Sequence, residues 1–342
     1  MSAEVRESAE VRESAEVRES ARTSLASTRT RPPYVLARAE VRAVERVSPS
    51  FVRVTFGGDE LEEFGTPGDV YDARIKLVFP PASGVLPPVD RDTDDWWGAY
   101  LAVPEEQRGS MRTYSVRELR VGEGAAASTE VVVDFVLHLE PGLTGPASLW
   151  ASGASVGDAL LMVGPRRDRE DRSGIEYDPG DASQVCLVGD ETAAPAIARI
   201  LEDAPRDLRG IAFIEVPDAA DALGIDAPAG VEVHWLPRGE VAHGLRVIPT
   251  VLDYLDASAG GSLGEIVVQD AEGEDLVWET PVYSGLGEEI APVAGGAERY
   301  FWIAGESGVV TTLRRHLVKG LGIDRAQVAF MGYWRRGVAM RG

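Results

Sequence analysis

The apolar pattern of this chain changes its period near residue 183, which leaves few folds open to it. From Tyr34 to about Arg167, apolar and β-branched residues alternate with polar ones over short runs separated by Gly, Pro and Asp. Beyond the polar segment 166–183, strand-like runs alternate with helix-like runs. Short alternating strands favour an antiparallel barrel, whereas strand–helix alternation favours a parallel sheet covered by helices. The sequence therefore predicts a β-barrel over residues 34–168 and an α/β domain over residues 183–342.

Turn residues and periodicity delimit the elements of both predicted domains. The barrel is predicted to contain strands over Ala39–Val47, Phe51–Phe56, Ala73–Phe79 and Glu130–Leu139, and one helix near Pro146–Ala154. The α/β domain is predicted to contain strands over Gln184–Val188, Gly210–Val216, Val231–Leu236, Tyr300–Ala304 and Gln327–Tyr333. Its predicted helices are Ala193–Leu201, Val247–Leu255 and Val309–Leu317.

Three segments fit neither pattern. Residues 1–31 carry the hexad Ser-Ala-Glu-Val-Arg-Glu three times in tandem, with too little apolar surface to order itself, and are predicted to form a disordered tail. Residues 80–108 are rich in Pro and Asp and are predicted to form a long loop over one end of the barrel. Residues 257–298 are Gly-rich and acidic and interrupt the strand–helix rhythm, so they are predicted to be an insertion.

Charge and cysteine content exclude several classes of function. The formal net charge is −22 and the pI is near 4.6, which opposes broad contact with nucleic acid or an anionic membrane surface. The only cysteine, Cys186, lies in an apolar run and is predicted to be a buried thiol, which excludes intrachain disulfides. No window approaches the roughly 18 consecutive apolar residues of a membrane span, and the N-terminus lacks the apolar core of a secretory signal. We therefore expect a cytoplasmic protein with small-molecule or protein partners.

The first cluster of chemically useful residues is Met111–Arg117, at the start of a predicted barrel strand. Side chains alternate across a strand, so Arg112 and Tyr114 share one face, and Thr113 and Ser115 share the other. An arginine, an aromatic ring and a hydroxyl group gathered there are suited to a phosphate and a flat heterocycle. A solvated strand would show a similar pattern.

The second cluster, Thr144–Ala151, follows the strand that contains His138. Pro146 behind Gly145 predicts a helix N-terminus, where the backbone N–H groups of Ala147 and Ser148 lack partners within the helix. Such a terminus can bind a pyrophosphate, although an ordinary capped helix has the same sequence.

The third cluster, Val188–Ala196, is the first strand-to-helix turn of the predicted α/β domain, where open parallel sheets bind ligands. It is not a GxGxxG fingerprint. We expect the neighbouring carboxylates Asp190 and Glu191 to repel a phosphate placed against them.

These three clusters, in this order, resemble those of the siderophore-interacting proteins, a branch of the ferredoxin–NADP reductase superfamily. The C-terminal segments Tyr300–Val310, Leu313–Leu317 and Gly332–Gly337 resemble the same family, and the likeness covers about residues 35–340. The resemblance implies an antiparallel flavin-binding β-barrel followed by an α/β domain with a parallel sheet. It also implies FAD-dependent reduction of a ferric siderophore to release Fe(II).

The resemblance implies a role for individual residues as well. Arg112 would contact the FAD phosphates, Tyr114 would pack on the flavin, and Ser115, where the family usually has threonine, would hydrogen-bond near its reactive nitrogen. The full set of expected cofactor-binding residues is Arg112, Thr113, Tyr114, Ser115, His138, Thr144, Gly145, Pro146, Ala147, Ser148, Asp190, Thr192, Ala193, Tyr333 and Trp334.

An acidic protein needs a local basic site to admit an anionic ferric siderophore. Lys76 resembles the basic position near the flavin in this family, and Arg166 and Arg335 are further expected substrate-binding residues. The four histidines are dispersed along the sequence and are expected to be structural or surface groups rather than metal ligands.

The electron donor and the acceptor both leave alternatives. The pair Asp190–Glu191 disfavours a second phosphate and so favours NADH over NADPH, while ferredoxin remains open as a donor. The acceptor could instead be free flavin or another electron carrier, as in a general flavin reductase. A protein that binds a ferric siderophore without reducing it is a third alternative.

Overall fold

The computed structural model describes residues 32, 34–91, 93, 95–122, 128–138, 144–170, 172, 174–259, 277–280, 283–284 and 298–337. The predicted tail, residues 1–31, lies outside the described residues, and so does most of the predicted insertion 257–298.

The first half of the chain forms an antiparallel barrel-like sheet of seven strands in the order β4-β3-β7-β1-β2-β6-β5. The strands are β1 (Tyr34–Arg46), β2 (Phe51–Gly57), β3 (Arg74–Phe79), β4 (Ser110–Ser115), β5 (Glu118–Val121), β6 (Thr129–Val136) and β7 (Ala159–Pro165). The two strands at the ends of this order, β4 and β5, follow one another directly in the chain. The predicted antiparallel barrel is thereby confirmed.

An aromatic cluster in the barrel interior fixes helix α3 (Pro146–Gly153) against one end of the sheet. The Trp150 ring lies 5.3 Å from the Phe79 ring, 5.9 Å from the Phe135 ring and 6.1 Å from the Phe56 ring, centroid to centroid. Aromatic packing of this kind adds to the free energy gained by burying the rings. It also places the N-terminus of α3 beside the barrel strands.

Three parts of the barrel differ from the prediction, and one of them is strand β5, which no predicted strand covers. No predicted strand covers β7, which lies between β3 and β1, with Leu160 and Met162 facing the interior and Leu161 packed in a second cluster outside. A strand that is buried on both faces lacks the alternation of apolar and polar residues, so this pattern does not predict β7. The predicted loop 80–108 contains two short helices, α1 (Trp96–Ala102) and α2 (Glu105–Arg108).

Helix α1 covers the outer face of the barrel sheet. The Asp95 carboxylate caps the helix by accepting a hydrogen bond from the Gly98 N–H at 2.8 Å. Its residue Tyr100 is buried with Val78 and Met111, which point away from the barrel interior. Helix α1 therefore shields the Val78 and Met111 part of the outer face from solvent, and the residues expected to bind ligands lie beside it.

The second half of the chain forms a seven-stranded sheet in the order β10-β9-β8-β13-β14-β11-β12. Its strands are β8 (Gln184–Gly189), β9 (Arg209–Val216), β10 (Gly230–Pro237), β11 (Trp278–Thr280), β12 (Tyr283–Ser284), β13 (Arg299–Glu306) and β14 (Val328–Trp334). Its helices are α4 (Ala194–Asp203), α5 (Val247–Ala259) and α6 (Ser307–Arg314), the last continued by a π-helical turn over Arg315–Gly320. Strands β8, β9, β10, β13 and β14 pair in parallel, which confirms the predicted α/β fold.

The segment 257–298, predicted as an insertion, contributes strands β11 and β12 to the α/β sheet. Helix α5 runs to Ala259, and β11 pairs antiparallel with β14 through Trp278↔Met331 and Glu279↔Phe330. The Glu279 carboxylate also forms a bidentate ion pair with Arg314 of α6, at 2.7 and 2.8 Å. The described part of the insertion therefore extends the sheet at its β14 edge.

Buried polar contacts join the two halves of the chain. The Asp203 carboxylate at the end of α4 accepts hydrogen bonds from the backbone N–H groups of Val70 and Tyr71, both at 2.9 Å. Arg117, directly after β4, forms a bidentate pair with Glu202 at 2.7 Å for both bonds. These contacts hold the segment before β3 and the segment after β4 against the α/β domain.

Cys186 is fully buried in β8, as predicted, and burial raises the pKa of its thiol to about 12. No helix within the described residues combines the length and the hydropathy needed to cross a lipid bilayer.

Candidate functional site

Strand β4 presents its two faces as the sequence predicted. Arg112 pairs across the sheet with Leu77, and Tyr114 pairs with Ile75, so both side chains lie on the face that carries the barrel core. Thr113 pairs with Lys76 on the opposite face. The β3–β4 pair therefore separates two groups of candidate residues.

Tyr114 is an aromatic wall of the site. Its ring centroid lies 4.6 Å from that of Phe135 and 6.4 Å from that of Phe79. Burial raises the pKa of the Tyr114 phenol well above its usual value, so the residue is neutral at physiological pH. A flat, neutral ring held by two phenylalanines is a suitable surface for stacking a heterocycle.

Arg112 is a half-buried cation without an acidic partner. Its Nη1 donates a hydrogen bond to the Met111 carbonyl at 2.6 Å, and no carboxylate pairs with it among the described residues. Burial is the main reason that the pKa of Arg112 is lowered, but arginine remains charged. A desolvated guanidinium left unpaired in a chain of net charge −22 is suited to an anionic ligand.

Among the described residues, no side chain caps the N-terminus of α3. Gly145 is the N-cap residue with extended backbone and no side-chain cap, and Pro146 opens the helix. The Ser148 hydroxyl donates to the Val136 carbonyl at 3.0 Å and accepts from the His138 N–H at 3.4 Å. The Ser148 side chain therefore ties α3 to β6, and a ligand here would be held by the N–H groups of the first turn.

The α/β sheet reverses its strand order between β8 and β13, at the turn Gly189–Asp190. The Asp190 carboxylate is buried there and accepts hydrogen bonds from the backbone N–H of Glu306, the Thr192 hydroxyl and the indole Nε1–H of Trp334, at 2.8, 2.5 and 2.8 Å. Gly305 has φ 138°, and a Cβ atom there would lie 2.6 Å from Asp190 Oδ2, so glycine is required. Asp190 organises the crevice where ligands bind in such sheets.

Glu191 is the centre of a second polar cluster at the same turn, here called the Glu191 cluster: Glu191, Arg238, His138 and His243. Arg238 forms a bidentate pair with the Glu191 carboxylate, both bonds 2.7 Å. The Nε2 atoms of His138 and His243 lie 3.1 and 3.2 Å from Glu191 Oε1. The structure thus brings together two histidines that are dispersed in the sequence, and the cofactor-binding role expected of His138 stays a prediction.

The two carboxyl groups of the turn have opposite pKa shifts. Burial alone would raise the pKa of Glu191, but the hydrogen bonds from His138, His243 and Arg238 together hold it well below its usual range. Burial, and then the charge of Glu191, raises the pKa of Asp190. The expected repulsion of a phosphate by this pair does not follow, because the Glu191 carboxylate is paired with Arg238 and the buried Asp190 carboxylate is already bonded by Glu306, Thr192 and Trp334. The charge argument for NADH over NADPH is therefore lost.

Little free helix N-terminus remains at this crevice. The Glu306 side chain caps α6 by accepting hydrogen bonds from Gly308 N–H at 2.7 Å and Val309 N–H at 3.1 Å. The Thr192 and Ala193 positions form the turn itself, with Ala193 fully buried and its N–H bonded to the Asp190 carbonyl at 3.0 Å. A dinucleotide here would find fewer backbone donors than in a Rossmann domain.

Strand β14 ends with two aromatic residues that face different parts of the site. Trp334 lies between the two imidazoles, its indole ring 5.7 Å from His138 and 4.9 Å from His243. Tyr333 lies beside the Ser115 hydroxyl, and burial raises the pKa of its phenol well above the usual value. Ser115 and Tyr333 therefore present neighbouring hydroxyl groups at this point.

The three expected substrate-binding cations have different surroundings. Lys76 is exposed, donates to the Thr113 hydroxyl at 2.8 Å and has no carboxylate partner among the described residues. Arg166 is engaged within the barrel, where it pairs with Glu63 and donates to the Pro32 carbonyl at 3.0 Å. Arg335 is partly exposed and directly follows Trp334. The structure gives Arg166 no free guanidinium for a substrate.

The comparisons with known proteins agree with this arrangement. Residues 40–169 match the family described as the siderophore-interacting FAD-binding domain, and residues 182–337 match the family described as siderophore-interacting protein. The chain belongs to the siderophore-interacting protein family. The two matched regions correspond to the barrel and to the α/β domain.

Similar proteins include two curated reductases and one solved structure. The ferric vibriobactin reductase ViuB of Vibrio cholerae is 30% identical over 294 residues, which cover 85% of this chain and 86% of that protein. The NADPH-dependent ferric-chelate reductase of Escherichia coli is 32% identical over 213 residues, covering 60% and 73%. A siderophore utilization protein from T. fusca is 31% identical, with a TM-score of 0.60, and the match covers 90% of this chain and 95% of that one.

FAD is the cofactor of the matched barrel family, and the residues present fit it. The unpaired Arg112 and the uncapped N-terminus of α3 fit the phosphates, since no atom of the described residues lies within 4 Å of a Cβ position added at Gly145. Tyr114 fits a stacked ring, and Ser115 with Tyr333 fits a polar edge of that ring. We assign these individual roles as proposals.

Replacing Arg112 tests the phosphate assignment. Arg112→Ala removes a charge-assisted hydrogen bond, so FAD affinity should fall by about 1.5–3 kcal/mol, or roughly 10- to 150-fold in Kd. The measurement is titration of the apoprotein with FAD, followed by flavin fluorescence. Arg108→Ala is the matched control, because within the described residues the hydrogen bonds of that guanidinium go to the Leu101 and Val103 carbonyls. Equal Kd values for wild type and Arg112→Ala would remove Arg112 from the site.

Replacing Glu191 tests the buried cluster through pH. Since the folded-state pKa of Glu191 lies below the usual 4.5, its contribution to stability is fully present above about pH 4.5 and is lost as pH falls further. Glu191→Gln should therefore lower stability near pH 7 by about 3–5 kcal/mol, and the difference from wild type should narrow below pH 4.5.

The measurement is urea unfolding across this pH range. Glu232→Gln is the control, because Glu232 faces His234 at 3.3 Å on the surface, and it should leave stability unchanged. If the difference in the free energy of unfolding between wild type and Glu191→Gln stays constant with pH, Glu191 is not ionised in the folded protein.

Proposed function

We propose that this chain is an FAD-dependent reductase that delivers single electrons to Fe(III) held in an anionic siderophore. One observation carries the proposal: two unpaired cations lie on opposite faces of the β3–β4 pair in an otherwise acidic protein. Arg112 lies on the face with Tyr114, and Lys76 lies on the face with Thr113 and Ser115. The first cation suits the cofactor phosphates, and the second suits an anionic electron acceptor beside the flavin.

In the proposed reaction, one two-electron donor reduces two one-electron acceptors. One NAD(P)H gives up a hydride, two Fe(III) ions each gain one electron, and one proton is released. FAD supplies the conversion between two-electron and one-electron chemistry when bound. Hard oxygen donors hold Fe(II) less firmly than Fe(III) because of its lower charge, so one electron loosens the metal. No general base and no protein metal ligand is needed.

Lys76 is the residue on which acceptor binding should depend most. It is exposed, it lies one strand away from Ser115, and its only described partner is a neutral hydroxyl. Arg335 is placed second, at the end of β14 beside the same junction. Arg166 is not retained as a substrate residue, because Glu63 and the Pro32 carbonyl already bind it.

We assign the donor as a reduced nicotinamide dinucleotide that binds at the β8–β13 crevice. Asp190 and Glu306 occupy the backbone donors there, so we expect most of its affinity to come from contacts other than helix N-termini. The structure gives no charge-based reason to prefer NADH, and both dinucleotides belong in the assay.

Steady-state kinetics of the FAD-loaded protein test this function through Lys76→Glu. The variant should raise KM for an anionic ferric siderophore and leave the rate of flavin reduction by NAD(P)H unchanged, because only acceptor binding loses a favourable charge. The increase should shrink at high salt, since the Debye length falls from about 10 Å at 0.1 M to about 3 Å at 1 M. A neutral ferric siderophore should be affected much less.

Lys319→Glu is the matched control for net charge, because Lys319 is exposed in the π-helical turn that follows α6. Equal effects of the two variants on the anionic siderophore would remove Lys76 from the acceptor site. Rapid reduction of free flavin with no reduction of any ferric siderophore would contradict the proposed function and favour a general flavin reductase.

A further inference from the structure

A stack of one cation and two aromatic rings joins the barrel to the edge of the α/β sheet. The Arg74 guanidinium lies 4.1 Å from the centroid of the Trp278 ring. The Trp278 ring is nearly parallel to that of Tyr333, at 16° and a centroid separation of 6.3 Å. Here this group of three is called the Trp278 stack.

The Trp278 stack lies next to the proposed acceptor site, with Arg74 on the barrel side and Tyr333 on the α/β side. Arg74 and Lys76 are two residues apart on the same face of β3, and Arg74 pairs across the sheet with Ser115. Tyr333 contacts Ser115 from the α/β side. The stack therefore borders the surface between Lys76 and the expected flavin edge.

The orientation of the indole is fixed while part of it remains exposed. Arg74 is held by an ion pair with Glu176, and Trp278 is held by the pairing of β11 with β14. Trp278 is half-buried, so part of its ring is open to solvent. An aromatic group bound beside Lys76 could meet that part edge to face, which is a favoured geometry for two rings.

We infer that Trp278 is a specificity-determining residue that favours acceptors whose iron ligands are aryl oxygens, as in catecholates. Such a complex combines the negative charge that Lys76 attracts with a ring that Trp278 contacts. An aliphatic carboxylate complex has the negative charge but no aromatic ring. A tris-hydroxamate complex has neither a negative charge nor an aromatic ring. This inference rests on the proposed function, and it gives the described part of segment 257–298 a role in substrate choice.

Binding of redox-inert Ga(III) complexes tests the inference separately from reduction. FAD-loaded wild type and Trp278→Met are titrated by calorimetry with Ga(III) tris-catecholate, Ga(III) citrate and Ga(III) tris-hydroxamate. Loss of one aromatic contact should weaken catecholate binding by about 2- to 10-fold and leave citrate and hydroxamate binding unchanged. Lys76→Gln should weaken both anionic complexes. The two variants thereby separate the ring from the charge.

Two further variants control for folding. Trp278→Phe keeps a smaller ring and should lose less catecholate affinity than Trp278→Met. If the Met variant does not retain FAD, the Phe variant alone is compared with wild type. Glu279→Gln breaks the ion pair with Arg314 on the same strand and should leave the preference for catecholate intact.

The inference is overturned if Trp278→Met weakens citrate as much as catecholate, if it weakens neither, or if it changes only the rate of flavin reduction by NAD(P)H. Failure of wild type to bind Ga(III) tris-catecholate also overturns it. If wild type binds that complex through Trp278 but reduces no ferric complex, the proposed function fails and the binding assignment stands.

Discussion

The buried carboxylate of Glu191 is the contact on which the junction between barrel and α/β sheet depends. It joins His138, at the end of β6, to Arg238 and His243, which follow β10. Those imidazoles flank Trp334, and Asp190 holds the same indole from the next position. Burying an ionised carboxylate costs free energy unless its oxygens accept hydrogen bonds from the protein. The cluster can therefore form only when all of these elements are in place. The end of β14, which carries Tyr333 and precedes Arg335, is positioned by that requirement.

The distribution of charge explains how an acidic protein can handle two anionic ligands. Near this junction most arginines are neutralised by specific acids, as Arg117 is by Glu202 and Arg74 is by Glu176. Arg112 and Lys76 are the exceptions at β3 and β4 among the described residues. They lie on opposite faces of one strand pair, so the cofactor phosphates and an anionic acceptor can be attracted to neighbouring sites without competing for the same cation. A site of this kind acts locally and is compatible with a net charge of −22.

Local patterns predicted much of this structure, and distant contacts could not be predicted. Alternation in Met111–Arg117 placed Arg112 and Tyr114 on one face correctly, because a strand has a period of two whatever surrounds it. Strand β7 was missed because both of its faces are buried, which removes the alternation. The Glu191 cluster joins residues far apart in the chain, and no local signal shows which turns meet. The sequence predicts that Asp190 and Glu191 repel a phosphate, because it does not reveal that Arg238 pairs with Glu191. Trp278 follows an acidic segment without periodicity, and only its pairing with β14 reveals where it lies.

A single-turnover experiment tests the central claim, that electrons pass from bound flavin to iron in an anionic siderophore at this junction. FAD-loaded protein is reduced photochemically without any nucleotide, mixed anaerobically with a ferric tris-catecholate, and followed by flavin absorbance together with capture of Fe(II) by a chelating dye. The account predicts full reoxidation of the flavin with two Fe(II) captured for each FAD, and slower reoxidation in Lys76→Glu at low salt. Flavin that stays reduced in the presence of the ferric complex, while molecular oxygen or free flavin reoxidises it readily, would contradict the account.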